Sequence, residues 1–254
     1  ANGTNGRNGT DAVGIANANI NTAGSLILTL TDGTQINAGS FSAPNTYELG
    51  DFGTFAIGFT RIGNAQNIGD TKVNEYGETR IDGAVDYHYS ISTYEISRNQ
   101  VLKAIAAGLT GIQAPDYWGY YSYPSDPYYQ EEINKPAAEM TLGEVARFVN
   151  FLNTAQGYHE AYKINTITGE FDLWSETDPG FNPLNPLRNN LARYWIPSVD
   201  EWYKAAYYDP NHGGEGVGGY WKYATGSDTP PTAVEQGTAP GTAVFYDPVN
   251  GGAY

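Results

Sequence analysis

Three helix starts carry the same signature, and they constrain the fold of this chain more than any other feature. In a capping box, a Ser or Thr and a Glu or Gln three residues later each accept a hydrogen bond from a backbone N–H at the helix start. The boxes are Ser97 with Gln100, Thr141 with Glu144, and Ser198 with Glu201. Glycines at 108 and 157 and the pair Asp209-Pro210 follow at distances suited to helix ends. The sequence therefore predicts three helices.

Apolar residues recur at helical spacing behind each box, which predicts one packed face per helix. These residues are Val101, Leu102 and Ile105, then Val145, Phe148, Val149 and Leu152, then Trp202, Ala205 and Ala206. Between the helices the chain has only short apolar or aromatic runs and many loop residues, and one run alternates around Thr168-Gly169 as a hairpin would. The expected class is α+β, with few helices, short strands and long loops.

The N-terminal segment differs in character from the rest of the chain. Gly3, Gly6 and Gly9 recur at the spacing of three that a collagen triple helix requires, although a flexible Gly/Asn linker would show the same residues. Behind them, the run "SLILTLTDGTQINAG" alternates in hydrophobicity and turns at Asp32-Gly33. This pattern predicts a small β-hairpin after a short stalk.

Charge and composition exclude several classes of function. The formal net charge is -15, so phosphate backbones and anionic lipid headgroups would be repelled, and neither nucleic acid nor membrane insertion is expected. The chain has no cysteine, which removes disulfides, thiol nucleophiles and thiolate metal sites. The 31 glycines and 21 tyrosines favour an extracellular surface protein.

The stretch "DYWGYYSYPSDPYY" is the first candidate for a binding surface. Tyrosine has a rigid amphipathic ring with two side-chain torsions, so an exposed Tyr-rich loop binds at low entropic cost. The alternative is that some of these rings cover a core with few regular layers. The predicted ligand-binding residues are Tyr117, Trp118, Tyr120, Tyr121 and Tyr123.

Metal chemistry has weaker signals in the sequence. The three histidines, His88, His159 and His212, form no HxH, HxxxH or HExxH spacing. Two Asp/Asn loops could supply oxygens to calcium, although Asx turns are the favoured interpretation of both loops. No cofactor is therefore expected, and if calcium does bind, its candidate ligands are Asp209, Asn211, Asp247 and Asn250.

Three motifs resemble the formylglycine-generating enzyme family, also called sulfatase-modifying factor domains. They are "YHYSISTYEISRNQV", "EMTLGEVARFVNFLN" and "RYWIPSVDEWYKAAYYDPNHGGEGVGGYWKYATGSDTPPTAV", within a likeness that spans about residues 50 to 245. The resemblance implies a C-type-lectin-like fold. Copper-dependent members use a cysteine pair near the C-terminus, and this chain has none, so no catalytic residue is transferred.

Residues 1 to 41 resemble the segment in which collagen-like stalks end in phage tail fibres and bacterial fibre proteins. This second resemblance implies a homotrimer around a shared stalk. The expected organisation is a stalk remnant at 1–14, a hairpin unit at 15–42 and an enzyme-like domain at 47–254, whose C-terminal part we expect to be incomplete.

Together these features predict a non-catalytic extracellular attachment module of a fibre, filament or tail fibre. Its partners would be a surface glycan or a neighbouring subunit. The alternative is an iron- or copper-dependent oxidase-like enzyme of the same family.

Overall fold

The computed structural model describes residues 13–20, 25–40, 47–73, 76–113, 133–138, 140–165, 168–234 and 239–245. Within these ranges the chain has a few helices and many short strands in small sheets. The predicted α+β class is therefore confirmed, while the C-type-lectin-like topology stays a prediction.

The strands are short, and most of them pair with a neighbour in the sequence. In chain order they are β1 Ile15–Ile20, β2 Ser25–Leu30, β3 Gln35–Ser40, β4 Tyr47–Asp51, β5 Ala56–Ile62, β6 Asp70–Val73, β7 Thr79–Asp82, β8 Tyr89–Ser92, β9 Lys163–Ile164, β10 Phe171–Asp172, β11 Tyr208–Asp209, β12 Gly219–Tyr220, β13 Thr232–Ala233 and β14 Thr242–Ala243. Two sheets have three strands, in the orders β1-β2-β3 and β4-β5-β8, and the others are two-stranded.

The helices begin where the capping boxes predict. They are α1 Arg98–Ala106, α2 Leu142–Ala155 and α3 Val199–Tyr207. At α1 and α2 both halves of the box form, and at α3 Ser198 Oγ accepts from the Glu201 amide while a Glu201 carboxylate oxygen accepts from the Ser198 amide. The three predicted helix starts are confirmed.

Both predicted hairpins are confirmed as well. In the first, the Gly33 amide donates to Leu30 O at 3.0 Å, and Gly33 adopts a φ of 85°, which a residue with a side chain adopts only at a cost. Asp32 Oδ1 accepts from the Thr34 amide at 2.9 Å. The second hairpin joins β9 to β10, with the Gly169 amide bonded to Asn165 O at 2.8 Å.

The predicted hairpin unit gains a strand that the sequence did not reveal. β1 pairs antiparallel with β2 on the side away from β3, so the unit is a three-stranded sheet. A third strand matters because an isolated two-stranded hairpin is marginally stable in water.

Two apolar cores form around α2. The first contains Phe52, Phe55, Ile57, Val101, Ala104, Leu109, Phe148 and Leu152. The second contains Ala146, Val149, Ala161 and Tyr162. Because α2 contributes to both cores, it is the central helix of this part of the chain.

The buried face of α3 differs from the predicted one. Trp202 was expected on the packed face, but its side chain is 53% exposed. Glu201 and Lys204 are buried instead, at 0% and 1% exposure, together with Tyr203. Glu201 can be buried because N–H donors of other residues satisfy its carboxylate oxygens.

The chain divides into two compact units. One comprises Ala1–Thr46, Ile62–Tyr89 and Tyr207–Tyr254, and the other comprises Tyr47–Arg61 and Ser90–Ala206. The predicted boundaries of stalk, hairpin and large domain stay predictions. Among the described residues, no helix has the length and apolar character needed to cross a bilayer.

Candidate functional site

The predicted aromatic binding residues lie in a segment whose flanks are fixed. Tyr117, Trp118, Tyr120, Tyr121 and Tyr123 lie outside the described residues. Residues 76–113 precede them and residues 133–138 follow, so the contacts of these two stretches show how the segment is attached.

The leading flank is held at the start of α2. The Gln113 amide donates to Glu144 Oε1 at 2.8 Å, and the other carboxylate oxygen, Oε2, accepts from the Thr141 amide and hydroxyl, both at 2.8 Å. These bonds to the ionised form, the one from Gln113 foremost, hold the pKa of Glu144 below its usual range. Glu144 thus caps its own helix and anchors residue 113 at the same time.

The trailing flank is held at the start of α1. The Arg98 amide donates to Lys135 O at 3.0 Å, and the Ala137 amide donates to Ile96 O at 2.8 Å. These bonds form an isolated antiparallel bridge between Ser97 and Pro136. Ser97 is also the N-cap of α1, so this flank runs beside a capped and well-defined backbone.

The two anchor points share one packed base. Val101 and Ala104 of α1 and Phe148 and Leu152 of α2 belong to the same apolar core. Gln100 adds a link from the first capping box to the sheet, because its Nε2 donates to Ala56 O at 2.8 Å. Both flanks of the segment therefore begin at hydrogen-bonded backbone above one packed core.

Buried asparagines hold the long loops near α2. Asn153 is fully buried, and its Oδ1 accepts from the Arg193 and Tyr194 amides at 2.8 and 3.0 Å, while its Nδ2 donates to Val149 O and Tyr194 O. Asn150 holds the loop around residues 161 and 162 in the same way. Its Oδ1 accepts from the Ala161 and Tyr162 amides, and its Nδ2 donates to Tyr162 O. These side chains replace the sheet ladder that the loops lack.

Glu201 forms a buried ionic cluster on α3. Its carboxylate accepts from Arg188 Nη1 at 3.2 Å, from Trp195 Nε1 at 3.0 Å and from the Ser198 amide at 2.7 Å. The Arg188 guanidinium lies 4.6 Å from the centre of the Trp195 ring, which is cation–π distance. Burial raises the pKa of the nearby Tyr162 phenol, which accepts from the Ile196 amide at 2.8 Å.

This cluster explains why α3 packs on a charged residue. A carboxylate can be buried when a cation and several N–H donors satisfy its oxygens. The sequence showed Glu201 as the acidic partner of a capping box, but it gave no sign that Arg188 and Trp195 would reach it. Partners that lie far apart in the sequence, such as Arg188 and Glu201, are not revealed by local sequence patterns.

The described calcium candidates form a turn. Asp209 Oδ1 accepts from the Asn211 amide at 2.8 Å, which is an Asx turn, and Oδ2 accepts from Trp221 Nε1 at 3.2 Å. Asp247 and Asn250 lie outside the described residues. Where the structure describes the chain, no three His, Asp or Glu side chains group together as they would around a metal.

The histidines have separate local surroundings. His88 is exposed, the His159 ring packs edge-on against Trp174 with centroids 5.1 Å apart, and the His212 ring packs edge-on against Trp221 at 4.4 Å. His212 Nε2 also lies 3.8 Å from Asp228 Oδ2. Both rings thus pack against a tryptophan, and His159 Nδ1 also lies 3.0 Å from Glu160 O.

Comparison of the chain with protein-family models, with curated proteins and with solved structures returned no match.

Proposed function

We propose that this chain is an extracellular attachment module whose binding surface is the aromatic segment between residues 113 and 133. The scaffold, which resembles the formylglycine-generating enzyme family, would display this segment. The ligand of the segment would be a surface glycan or a neighbouring subunit of a fibre, filament or tail fibre. In this proposal the protein has no catalytic role.

The observation that carries the proposal is the double anchoring of the segment. One flank is bonded to Glu144 at the start of α2, and the other runs antiparallel to residues 96–98 at the start of α1. Both helices pack into one core. A rigid base of this kind supports a binding loop, because it limits the ordering cost of each complex.

The chemistry of the segment suits neutral ligands. Its rings can stack on the apolar faces of sugars, and tyrosine hydroxyls can hydrogen-bond at the rim. A net charge of -15 disfavours anionic partners at the same time. A glycan or an aromatic-rich protein surface fits both conditions.

The proposal extends to assembly. The Gly3, Gly6 and Gly9 spacing and the resemblance to stalk ends both favour three copies around a common axis. Three copies would present three aromatic segments, and multivalent display strengthens weak individual contacts.

The direct test is a binding measurement on a glycan array and on immobilised wild-type protein. We expect the combined change Tyr117→Ala, Tyr120→Ala and Tyr121→Ala to lower the signal at least tenfold, because each ring is proposed to contact the ligand. Tyr94→Ala is the matched control, since Tyr94 is 82% exposed and lies outside the segment. Equal binding by the triple variant and the wild type would refute the proposal.

A further inference from the structure

The N-terminal sheet has one apolar face. Cross-strand partners share a face of a sheet, and so do residues two apart in a strand. Leu28 is opposite Ala18 on β1 and opposite Ile36 on β3, and Leu30 is opposite Ile15. The register between β1 and β2 shifts between Ile15 and Asn17, so Ile15 is placed by its partner Leu30 and not by its spacing from Asn17. Ile15, Ala18, Leu28, Leu30 and Ile36 therefore lie on the same side, which is here named the apolar face.

The other side of the sheet is mostly polar. Thr29 is opposite Asn17 on β1 and Gln35 on β3, and Ile27 is opposite Asn19. Four of these five residues are amides or hydroxyls. The sheet is thus amphipathic, as expected for one that buries a single face.

The apolar face is not covered within the described part of the chain. Ile15 and Ile36 are 63% and 44% exposed, Ala18 is exposed, and Leu28 and Leu30 are only half-buried. A sheet of three six-residue strands gains its stability by burying such a face.

The charge distribution points to another copy of the same chain. The strands β1, β2 and β3 contain no charged residue, although the whole chain carries a net charge of -15. Two copies can therefore approach through this sheet with little repulsion from the contact itself, whereas a charged partner would find nothing to pair with.

The residues that precede the sheet favour three copies, and the size of the face indicates a weak contact. Six residues at about 3.3 Å and three strands about 4.8 Å apart give a face of roughly 280 Å². Three faces together approach the ~1,000 Å² at which specific contacts begin, so the contact is weak. The Gly3, Gly6 and Gly9 triplets lie just before β1, and such triplets are stable only when three chains wind together.

We propose that the apolar face of the β1-β2-β3 sheet is a self-association surface, with the faces of three copies turned toward a common axis. This inference rests on the assembly part of the proposed function and is independent of ligand binding by the aromatic segment. The contact between the copies would be made by the five side chains of the apolar face.

The test is size-exclusion chromatography with light scattering on the full chain over a hundredfold range of concentration. We expect the wild type to have three times the chain mass at high concentration and to dissociate on dilution. Leu28→Lys places a charge on the apolar face and should give a monomer throughout. Thr29→Lys makes the same change one residue away on the polar face and should associate like the wild type.

Ile15→Lys is a second variant on the apolar face, at a position exposed enough to leave folding intact, and far-UV circular dichroism checks all three variants. A monomeric or dimeric wild type would overturn the proposal. So would trimers of Leu28→Lys and Ile15→Lys as stable as the wild-type trimer, or a Thr29→Lys variant that loses the trimer as fully as Leu28→Lys does. A trimer that binds no ligand on the array would contradict the attachment function and leave the self-association surface intact.

Discussion

At the scale of single residues, buried amides and one buried carboxylate decide how the loops are held. Asn150 and Asn153 each hydrogen-bond to backbone groups of a loop. The Glu201 carboxylate accepts hydrogen bonds from Arg188, Trp195 and the Ser198 amide. Each of these side chains is buried, so its removal leaves loop groups without a partner and out of reach of water. Polar residues therefore perform here the role that strand ladders perform in sheet-rich domains.

Replacement of Asn153 tests this role. We expect Asn153→Ala to lower the free energy of unfolding by about 2–4 kcal/mol, because backbone groups of residues 193 and 194 lose their partners. Asn190→Ala, at an exposed position, should change it by less than about 0.5 kcal/mol. Urea denaturation followed by tryptophan fluorescence measures both, and similar values for the two variants would contradict the account.

At the scale of elements, the sequence predicts features set by neighbouring residues, but it does not predict contacts between residues far apart in the chain. The capping boxes predicted all three helix starts, and Asp32-Gly33 and Thr168-Gly169 predicted two hairpins, because caps and turns depend on residues close in sequence. β1 escaped prediction because "IANANI" consists mostly of Ala and Asn, which have low strand propensity even though they alternate here. The predicted packed face of α3 was wrong at Trp202, which is exposed while its neighbour Glu201 is buried. Local patterns could not show this, because Glu201 is bonded to Arg188, thirteen residues away.

The same limit applies to the candidate site. Composition singled out the aromatic residues, but nothing in the sequence indicated that Glu144 would bond to Gln113. The capping box explains only half of what Glu144 does.

A pair of cap variants separates these two roles of Glu144. Thr141→Ala and Glu144→Ala should each cost about 1 kcal/mol of stability through the loss of the cap. Only Glu144→Ala also frees the Gln113 amide, so we expect it alone to weaken ligand binding, several-fold. Calorimetry and the array binding assay report the two effects, and a Thr141→Ala variant that binds as weakly as Glu144→Ala would count against the anchor.

The anchor also has a pH dependence with a defined sign. Hydrogen bonds from Gln113 and Thr141 lower the pKa of Glu144 in the folded protein, so folding favours its ionised form. The resulting stabilisation is complete above the ordinary glutamate pKa and is lost as the pH falls through the lowered value. The stability difference between wild type and Glu144→Ala should therefore shrink under acid conditions.

At the scale of the whole molecule, the chain combines strong negative charge with an uncharged N-terminal sheet and a Tyr-rich segment. Negative charge limits non-specific association. In the proposed attachment function, selective contacts would be confined to the uncharged sheet and the Tyr-rich segment.

We propose that this scaffold binds and does not catalyse, and the metal content of the purified protein tests the proposal most directly. Mass spectrometry of the elements, on protein expressed with iron and copper supplied, should find far less than one iron or copper per chain, with array binding unchanged after dialysis against EDTA. One tightly held iron or copper per chain, together with oxidase activity, would contradict the claim.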